Sequence, residues 1–304
     1  MDHLPGGRGG PADPDASSEV VGDVVVIGGR SGDVVKEGTV PVVGAEWARV
    51  PGTTSGVRHS GGTGRSGTPW HPDAMGTPSD RAPLAERVEE LLALGGPLPI
   101  VTAGEPVLRR AAEPFDGQLA PALLARFVAA LRLTMHAAPG VGLAAPQVGV
   151  GLRIAVIEDP APVPEEVRAA RGRVPQPFRV LVNPSYEPVG AARAAFFEGC
   201  LSVPGWQAVV ARHAEVRLRA RDEHGRSVDE VFTGWPSRIV QHETDHLDGT
   251  LYLDRAELRS LASNASMADL WSQPTPERAA SALGFELPGR PGPAGPPGLP
   301  GSAS

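Results

Sequence analysis

A pair of histidines, His242 and His246, places the strongest constraint on how this chain folds. Apolar residues recur at helical spacing across residues 234–249, and Gly249 can end a helix there, so this stretch is predicted to be a helix. On a helix, residues four apart lie on the same face, so one metal ion can bridge both imidazoles. Glu243 stands beside the first histidine. The fold must bring a third ligand to this face, because a catalytic metal centre uses three protein ligands and leaves a fourth position for water.

The third ligand can lie on either side of the histidine pair. An HExxH pattern alone also occurs in many proteins that bind no metal. In zinc proteases the third ligand follows the pattern, and here the candidate is Glu257, because no further histidine follows His246. Upstream, Cys200 is the single cysteine of the chain, and a lone cysteine is more often a small buried apolar residue than a ligand. From these residues alone, Glu257 and Cys200 both stay open.

Glycine and proline are concentrated at both ends of the chain and delimit the part that can fold. The sequence has 38 Gly and 33 Pro among 304 residues. They cluster with Ser and Asp in residues 1–82, where apolar patches are too isolated to build a core. We therefore predict a disordered extension over residues 1–82 and a folded domain over residues 83–260. Residues 261–304 are predicted to be a C-terminal extension that is rich in Pro and Gly and disordered at its end.

Between these flanks, periodicity predicts both helices and strands. Apolar residues at helical spacing mark residues 83–94 and 118–138. Runs that are apolar, or that alternate with charges, predict strands at residues 151–159, 178–184 and 214–222. Helices and strands that do not alternate as strict βαβ units indicate an α+β fold.

Charge and apolar content disfavour several classes of partner. A net charge of −7 gives no attraction to nucleic acid or to an anionic membrane surface. No apolar run approaches the roughly 20 residues that span a bilayer, and the amino end lacks the pattern of a signal peptide. A single cysteine rules out an internal disulfide and suits a reducing compartment. We therefore expect a cytoplasmic monomer without direct nucleic-acid or membrane binding.

Three separated motifs resemble those of the peptide deformylases. They are "GVGLAAPQ" at 140–147, "EGCLS" at 198–202 and "QHETDH" at 241–246, all intact and in the family's order. The resemblance implies a deformylase-like α+β fold, in which antiparallel sheets pack around a central helix carrying HExxH, with disordered N- and C-terminal extensions. It also implies that residues 83–260 are the catalytic domain.

The same resemblance implies a metal site and its ion. Cys200, His242 and His246 would bind the metal and leave the fourth position to water. The family uses Fe²⁺, here one ion per chain, and Zn²⁺, Ni²⁺ or Co²⁺ can substitute. Zn²⁺ binds such ligands more tightly than Fe²⁺, so the ion present depends on supply. A metalloprotease with Glu257 as third ligand remains the alternative.

The resemblance further implies roles for the residues around the ion. Glu243 would act as general base and then as general acid. The side-chain amide of Gln147 and the backbone N–H of Leu201 would stabilise the oxyanion. Gly142 would let an extended peptide substrate lie against the backbone, and Val141 would form a wall of the methionine pocket.

The implied activity is removal of the formyl group from the initiator methionine of nascent polypeptides, which releases formate. The partners would be N-formylmethionyl nascent peptides and the ribosome near its peptide exit. Some family members dock through a basic C-terminal helix, but residues 256–271, "AELRSLASNASMADLW", are not basic, so the docking mode stays open. Arg212 lies where the family usually has an arginine, and we expect it to pair with Asp245 or Glu198. A binding module without catalysis would require a broken motif, and none is broken.

Overall fold

The computed structural model describes residues 78–288. The helices in this range are α1 (Pro78–Ala93), α2 (Pro121–Ala137), α3 (Glu165–Arg171), α4 (Gly234–Leu247), α5 (Asn264–Leu270) and α6 (Glu277–Leu283). The strands in this range are β1 (Gly142–Ala144), β2 (Ile154–Asp159), β3 (Gln176–Pro188), β4 (Arg193–Cys200), β5 (Val203–His213), β6 (Glu215–Arg221), β7 (Ser227–Thr233) and β8 (Ala256–Ser263). Short 3₁₀ helices span Pro106–Arg109, Ala145–Val148 and Tyr252–Asp254. None of the described helices is long and apolar enough to cross a lipid bilayer.

Both helices predicted near the start of the folded region are present. The prediction at 83–94 corresponds to α1, which begins at Pro78, and the prediction at 118–138 corresponds to α2. α2 buries one stripe of residues, Leu123, Phe127, Leu131 and Met135. This stripe and α1 form a core cluster with the larger sheet. The rest of the predicted disordered N-terminal segment, and the end of the C-terminal one, lie outside the described residues.

The larger sheet has five antiparallel strands in the order β1-β2-β3-β6-β7. The strands predicted at 151–159, 178–184 and 214–222 are β2, β3 and β6, so these three predictions are confirmed. Successive side chains of a strand point to opposite faces. One face of this sheet packs on α1 and α2, and the other packs on α4. β1 lies at an edge of the sheet and pairs with β2.

A second antiparallel sheet, with the order β4-β5-β8, was not predicted from periodicity. One face carries Cys200, Ala208 and Val210, which pack with Tyr252. The other face carries Phe197 and is covered by α5 and α6. Because β4 ends at Cys200, the cysteine of the "EGCLS" motif lies at the end of a strand of this sheet.

α4 lies between the two sheets, and all of residues 235–247 are buried. Its apolar residues pack on the larger sheet, and its polar face contacts the smaller one. Gly234 begins the helix with φ 61°, and a Cβ there would lie 3.1 Å from the carbonyl carbon of Gly172. Glycine is therefore required where the end of α3 meets α4. The predicted α+β fold with a central HExxH helix between antiparallel sheets is confirmed.

Residues 261–288 pack with the rest of the folded domain. β8 runs across residue 260, where the sequence analysis placed the end of the catalytic domain. Beyond β8, Met267, Ala279 and Phe285 share a core cluster with Phe197 of β4. Because these residues bury apolar surface against the strand that carries Cys200, we propose that the catalytic domain extends to residue 288.

Candidate active site

α4 and the end of β4 bring together three side chains that could hold a metal ion. Cys200, His242 and His246 are all buried, and one donor atom from each lies within 4.8 Å of the others. Sγ of Cys200 is 3.2 Å from Nε2 of His246, and the two imidazole centroids are 4.9 Å apart. Among the described residues, Glu257 is outside this group, and its Oε1 accepts the backbone N–H of Arg259 at 3.0 Å. The geometry therefore favours Cys200 over Glu257 as third ligand.

His242 is oriented by a carboxylate behind it. Its Nδ1 donates to Oε2 of Glu198 at 3.2 Å, and its ring stacks on Tyr252 with centroids 6.4 Å apart. Its Nε2 is buried and has no hydrogen-bond partner in the part of the chain that the structure describes. A neutral histidine that donates from one ring nitrogen carries a lone pair on the other. Nε2 of His242 is therefore ready to bind an ion.

Glu198 is held by two arginines. Nε and Nη2 of Arg212 donate to its two oxygens at 2.7 and 2.9 Å, and Nη1 of Arg238 donates to Oε1. Arg212 also donates to Oδ2 of Asp245 at 2.7 Å, so its predicted pairing is confirmed for both carboxylates. Burial acts to raise the pKa of Glu198, but the charges of Arg212 and Arg238 hold that pKa well below its usual range. Glu198 is therefore an ionised acceptor for the N–H of His242.

Cys200 is enclosed at the end of β4, with 1% of its surface exposed. Burial raises the pKa of its thiol to about 12, against the opposing effect of the backbone N–H of Ser202, which lies 3.4 Å from Sγ. Nε2 of Gln147 is 3.6 Å from the same sulfur. Because a bound metal ion deprotonates a coordinating thiol, the ion itself would generate the thiolate here.

Glu243 follows His242 on α4 and is fully buried. Within residues 78–288, neither of its carboxylate oxygens has a hydrogen-bond partner. Burial raises the pKa of Glu243 well above its usual range. An unpartnered buried carboxylate is costly, and one beside a ligand histidine indicates a group placed to exchange a proton with a bound molecule.

Gly142 of β1 lies directly against the side chain of Glu243. A Cβ added at Gly142 would be 2.7 Å from Cγ of Glu243 and would overlap its carboxylate. Contacts this short are not tolerated between carbon atoms in a packed interior. The absence of a side chain at Gly142 therefore makes room for Glu243, in addition to the substrate contact predicted from the sequence.

The remaining predicted site residues surround the same group. Oε1 of Gln147 accepts the backbone N–H of Ala144 at 2.8 Å, which leaves its Nε2 directed at Cys200. Leu201 follows Cys200 in the turn between β4 and β5 and is partly exposed. Val141 is 7% exposed and packs in the core between the larger sheet and α4. Its role as a wall of the methionine pocket stays a prediction.

Two residues of the site were not singled out from the sequence. Arg238 lies one helical turn before His242, and this spacing is visible in the sequence. Tyr252 comes from a 3₁₀ helix, and its hydroxyl donates to the carbonyl of Trp206 at 2.9 Å. Its contact with His242 depends on tertiary packing, so no local pattern indicates it.

Comparison of the sequence with known proteins shows the family to which the chain belongs. A family model described as polypeptide deformylase matches residues 97–261. The chain belongs to the peptide deformylase family. Peptide deformylase 1 of Streptomyces coelicolor is 90% identical over 215 residues, which cover 71% of this chain and 99% of that protein. The mitochondrial peptide deformylase of Homo sapiens is 35% identical over 229 residues, covering 71% of this chain and 91% of that one. A crystal structure of the class I type b peptide deformylase from Acinetobacter baumannii is 34% identical, covers 53% of this chain and 99% of that chain, and has a TM-score of 0.48.

As a peptide deformylase, the chain is a hydrolase that removes the formyl group from nascent polypeptides. The resemblance drawn from the three motifs is confirmed, and a metalloprotease is not favoured. Peptide deformylases depend on a metal, and the donors present here fit one. A sulfur from Cys200 and imidazole nitrogens from His242 and His246 are ligands that first-row transition ions accept, and the lone pair on Nε2 of His242 has no other described partner.

Gly142→Ala should lower kcat for a formylated peptide by up to about 10²-fold, because a displacement of about 1 Å at a reacting group can cost that much. The added methyl group would displace the carboxylate of Glu243, because the three heavy atoms nearest to it all belong to that side chain. Metal content, measured by elemental analysis, should stay at the wild-type level. Gly151→Ala is the control, because a Cβ at Gly151 meets nothing within 4 Å. Equal kcat values for the two variants would contradict the close contact between Gly142 and Glu243.

Proposed function

We propose that this chain hydrolyses the formyl group of N-formylmethionyl nascent peptides at an Fe²⁺ ion held by Cys200, His242 and His246, releasing formate. One observation carries the proposal: a thiol and two imidazoles from distant parts of the chain lie with their donor atoms within 4.8 Å of one another. Three protein ligands leave a fourth position open, which distinguishes catalytic from structural sites. A bound divalent ion supplies Lewis acidity and makes water a nucleophile near neutral pH.

The choice of Fe²⁺ is supported by the donor set and by the family. A thiolate ligand makes the ion softer and less acidic than three imidazoles would, and iron, zinc, nickel and cobalt all accept sulfur and imidazole. Zn²⁺, Ni²⁺ or Co²⁺ can therefore substitute in the same site. A ferrous ion beside a thiolate is sensitive to oxygen, because the sulfur is easily oxidised.

Glu243 moves the proton in this proposal. Its carboxylate takes a proton from the attacking water and then transfers it to the departing amine. The raised pKa of Glu243, which burial causes, suits both steps, because the group must hold the proton between them. Its oxygens are free of described protein partners and can accept a proton without first breaking a hydrogen bond.

Gln147 and Leu201 stabilise the oxyanion of the tetrahedral intermediate. The hydrogen bond from the N–H of Ala144 occupies Oε1 of Gln147, so the amide presents its Nε2 as the donor. The backbone N–H of Leu201 follows the ligand cysteine directly and supplies a second donor. Donors that are already fixed in place stabilise the developing charge without reorganising during the reaction.

The substrate binds in an extended conformation along β1. This strand is at the edge of the larger sheet, and a peptide can add to such an edge through backbone hydrogen bonds. Gly142 of β1 keeps the approach to the backbone open, and Val141 contributes a wall of the pocket for the methionine side chain. In this proposal the formyl group lies next to Glu243, because the side chain of Glu243 lies against Gly142.

The nascent chain is the partner in this proposal, and the enzyme acts in the cytoplasm as a monomer near the peptide exit of the ribosome. The net charge of −7 gives no support to docking through a basic surface. Direct nucleic-acid or membrane binding is not part of the proposal.

The proposal is tested by loading purified protein anaerobically with Fe²⁺, adding formyl-Met-Ala-Ser and measuring formate. We expect rapid formate release with Fe²⁺, slower release with Zn²⁺, and no release of acetate from acetyl-Met-Ala-Ser. The acetylated peptide is the matched control, because it differs by one methyl group at the reacting carbon. If no formate is released with Fe²⁺ or with Zn²⁺, the proposal is overturned. Equal rates with the two ions would overturn the preference for iron.

A further inference from the structure

Arg238 is a buried arginine on the helix that carries both histidines. Its side chain is 3% exposed, and it lies one helical turn before His242, so both side chains share a face of α4. Nη1 of Arg238 donates to Oε1 of Glu198, and Oε2 of Glu198 accepts Nδ1–H of His242 at 3.2 Å. Two hydrogen bonds therefore connect Arg238 to a ring that binds the ion.

Arg238 also joins α4 to the backbone of the smaller sheet. Its Nη1 donates to the carbonyl of Val210 on β5 at 3.0 Å, and its Nη2 donates to the carbonyl of Ala194 on β4 at 2.6 Å. Since β4 ends at Cys200, one guanidinium on the histidine-bearing helix contacts the strand that carries the thiol. A planar guanidinium with several fixed N–H groups suits such a multiple contact better than an ammonium group does.

Arg212 is the other anchor of Glu198, and its geometry differs. It extends from β5 and divides its donors between Glu198 and Asp245. It therefore holds Glu198 against β5 and also contacts the end of α4 through Asp245. Of the two arginines that contact Glu198 in the described chain, Arg238 is the one that belongs to α4. Its guanidinium therefore joins Glu198 to α4 one helical turn before His242, whereas Arg212 reaches α4 from β5, at Asp245 near the end of the helix.

We propose, on the basis of the metal site in the proposed function, that Arg238 is a positioning residue for the metal ligands. Arg238 sets the separation of α4 and β4, and through Glu198 it keeps the proton of His242 on Nδ1. The lone pair on Nε2 of His242 is then presented to the ion without rearrangement. Residues that orient a metal ligand in this way contribute about 10- to 100-fold to metal affinity.

Arg238→Met tests the proposal, because it removes all these hydrogen bonds and keeps an apolar side chain beside Trp235, whose ring lies 5.6 Å from the Arg238 guanidinium carbon. After anaerobic loading with Co²⁺, we expect its dissociation constant for Co²⁺ to rise by about 10- to 100-fold. The visible absorption of the bound Co²⁺ should shift, because the ligand geometry changes. These measurements are independent of turnover.

Arg173→Met is the matched control. Arg173 is also buried, donates to both oxygens of Asp159 at 2.8 Å, and lies 5.9 Å from the Trp235 ring, and its hydrogen bonds within the described chain go to Asp159 and not to Glu198. Arg173→Met should lower the free energy of unfolding at least as much as Arg238→Met does, because Asp159 loses the arginine described beside it while Glu198 keeps Arg212. Only Arg238→Met should weaken Co²⁺ binding and shift its spectrum. An equal loss of affinity in both variants, or wild-type affinity and spectrum in Arg238→Met, would overturn the proposal.

Glu198→Gln tests the route from Arg238 to the ion. In this background, Arg238→Met should weaken Co²⁺ binding far less than it does in the wild type, because the two changes interrupt the same connection. An undiminished effect would refute the route through Glu198. If Arg238→Met does not fold, Arg238→Lys takes its place, since its single nitrogen cannot occupy both positions, Nη1 and Nη2, from which the guanidinium reaches its acceptors. This variant should bind Co²⁺ several-fold more weakly, and wild-type affinity in it would count against the proposal.

Failure of the metal site itself has a different signature. The wild-type protein would then show no sulfur-to-cobalt charge-transfer absorption, or Cys200→Ser would bind Co²⁺ as tightly as the wild type. Either result would overturn the proposed ligands together with the role of Arg238. A normal wild-type spectrum with unaltered Arg238 variants would overturn the role of Arg238 alone.

Discussion

Glu243→Gln should lower kcat for formyl-Met-Ala-Ser by about 10²- to 10⁴-fold, the range that general acid–base catalysis contributes. Glutamine has nearly the same shape as glutamate but cannot accept the proton of the attacking water. Metal content should be unchanged, because Glu243 is not among the grouped ligands. Formate release under saturating substrate, together with elemental analysis of the same sample, measures both quantities.

The stability of this variant distinguishes a catalytic role from a structural one. Both oxygens of Glu243 are buried without a hydrogen-bond partner among the described residues, so a neutral amide should leave the free energy of unfolding equal or higher. A damaged fold would instead lower stability and activity together. If kcat fell only in proportion to lost metal, or stayed within about tenfold of wild type, Glu243 could not be the general base.

Cys200→Ala should remove the metal and, with it, formate release. Zinc sites with four ligands bind with about 10–16 kcal/mol, so one ligand contributes about 3 kcal/mol, or roughly 10²-fold in affinity. The remaining ligands, His242 and His246, come from one helix and leave the ion open to chelators. We expect protein purified without added metal to contain far less than one ion per chain, and its activity to match that of chelator-treated wild type.

Two further variants control for this result. Cys200→Ser keeps the size of the side chain but offers a poorer ligand, so its metal affinity should fall between those of the wild type and Cys200→Ala. Glu257→Gln should retain wild-type metal content, because Glu257 hydrogen-bonds the backbone of Arg259 on β8 and is outside the ligand group. The reverse pattern, with metal lost from Glu257→Gln and kept in Cys200→Ala, would restore the metalloprotease interpretation.

The elements that the sequence predicted correctly show either a clear periodicity of apolar residues or, as in β2, a continuous apolar run. α2 shows one buried stripe over its length, and β6 alternates Val216 and Leu218 with charged residues. The HExxH helix was predicted from the same kind of pattern. In these three elements the apolar residues recur on one face, and polar residues occupy the other. Cys200, in contrast, was proposed as a ligand from the motif around it.

β4 of the smaller sheet could not be predicted from periodicity, because it shows neither a continuous apolar run nor an alternation of apolar and polar residues. In its sequence, "RAAFFEGC", Glu198 and Gly199 interrupt the apolar residues. α5 and α6 have seven residues each, and helices this short depend on tertiary packing for their stability. The role of Arg238 shows the same limit. Its position before His242 was visible, but its acceptors come from β4 and β5, which only folding brings near.

Because the proposed metal ligands come from two layers of the molecule, metal binding also affects the stability of the folded enzyme. Cys200 belongs to the smaller sheet, whereas His242 and His246 belong to a helix whose apolar residues pack on the larger sheet. An ion bound to all three therefore spans two layers of the molecule. Because the unfolded chain cannot hold the three donors together, saturation with a thousandfold excess over the dissociation constant adds about 4 kcal/mol to the free energy of unfolding. Depletion of the free ion would thus shorten the survival of the native protein as well as stop its chemistry.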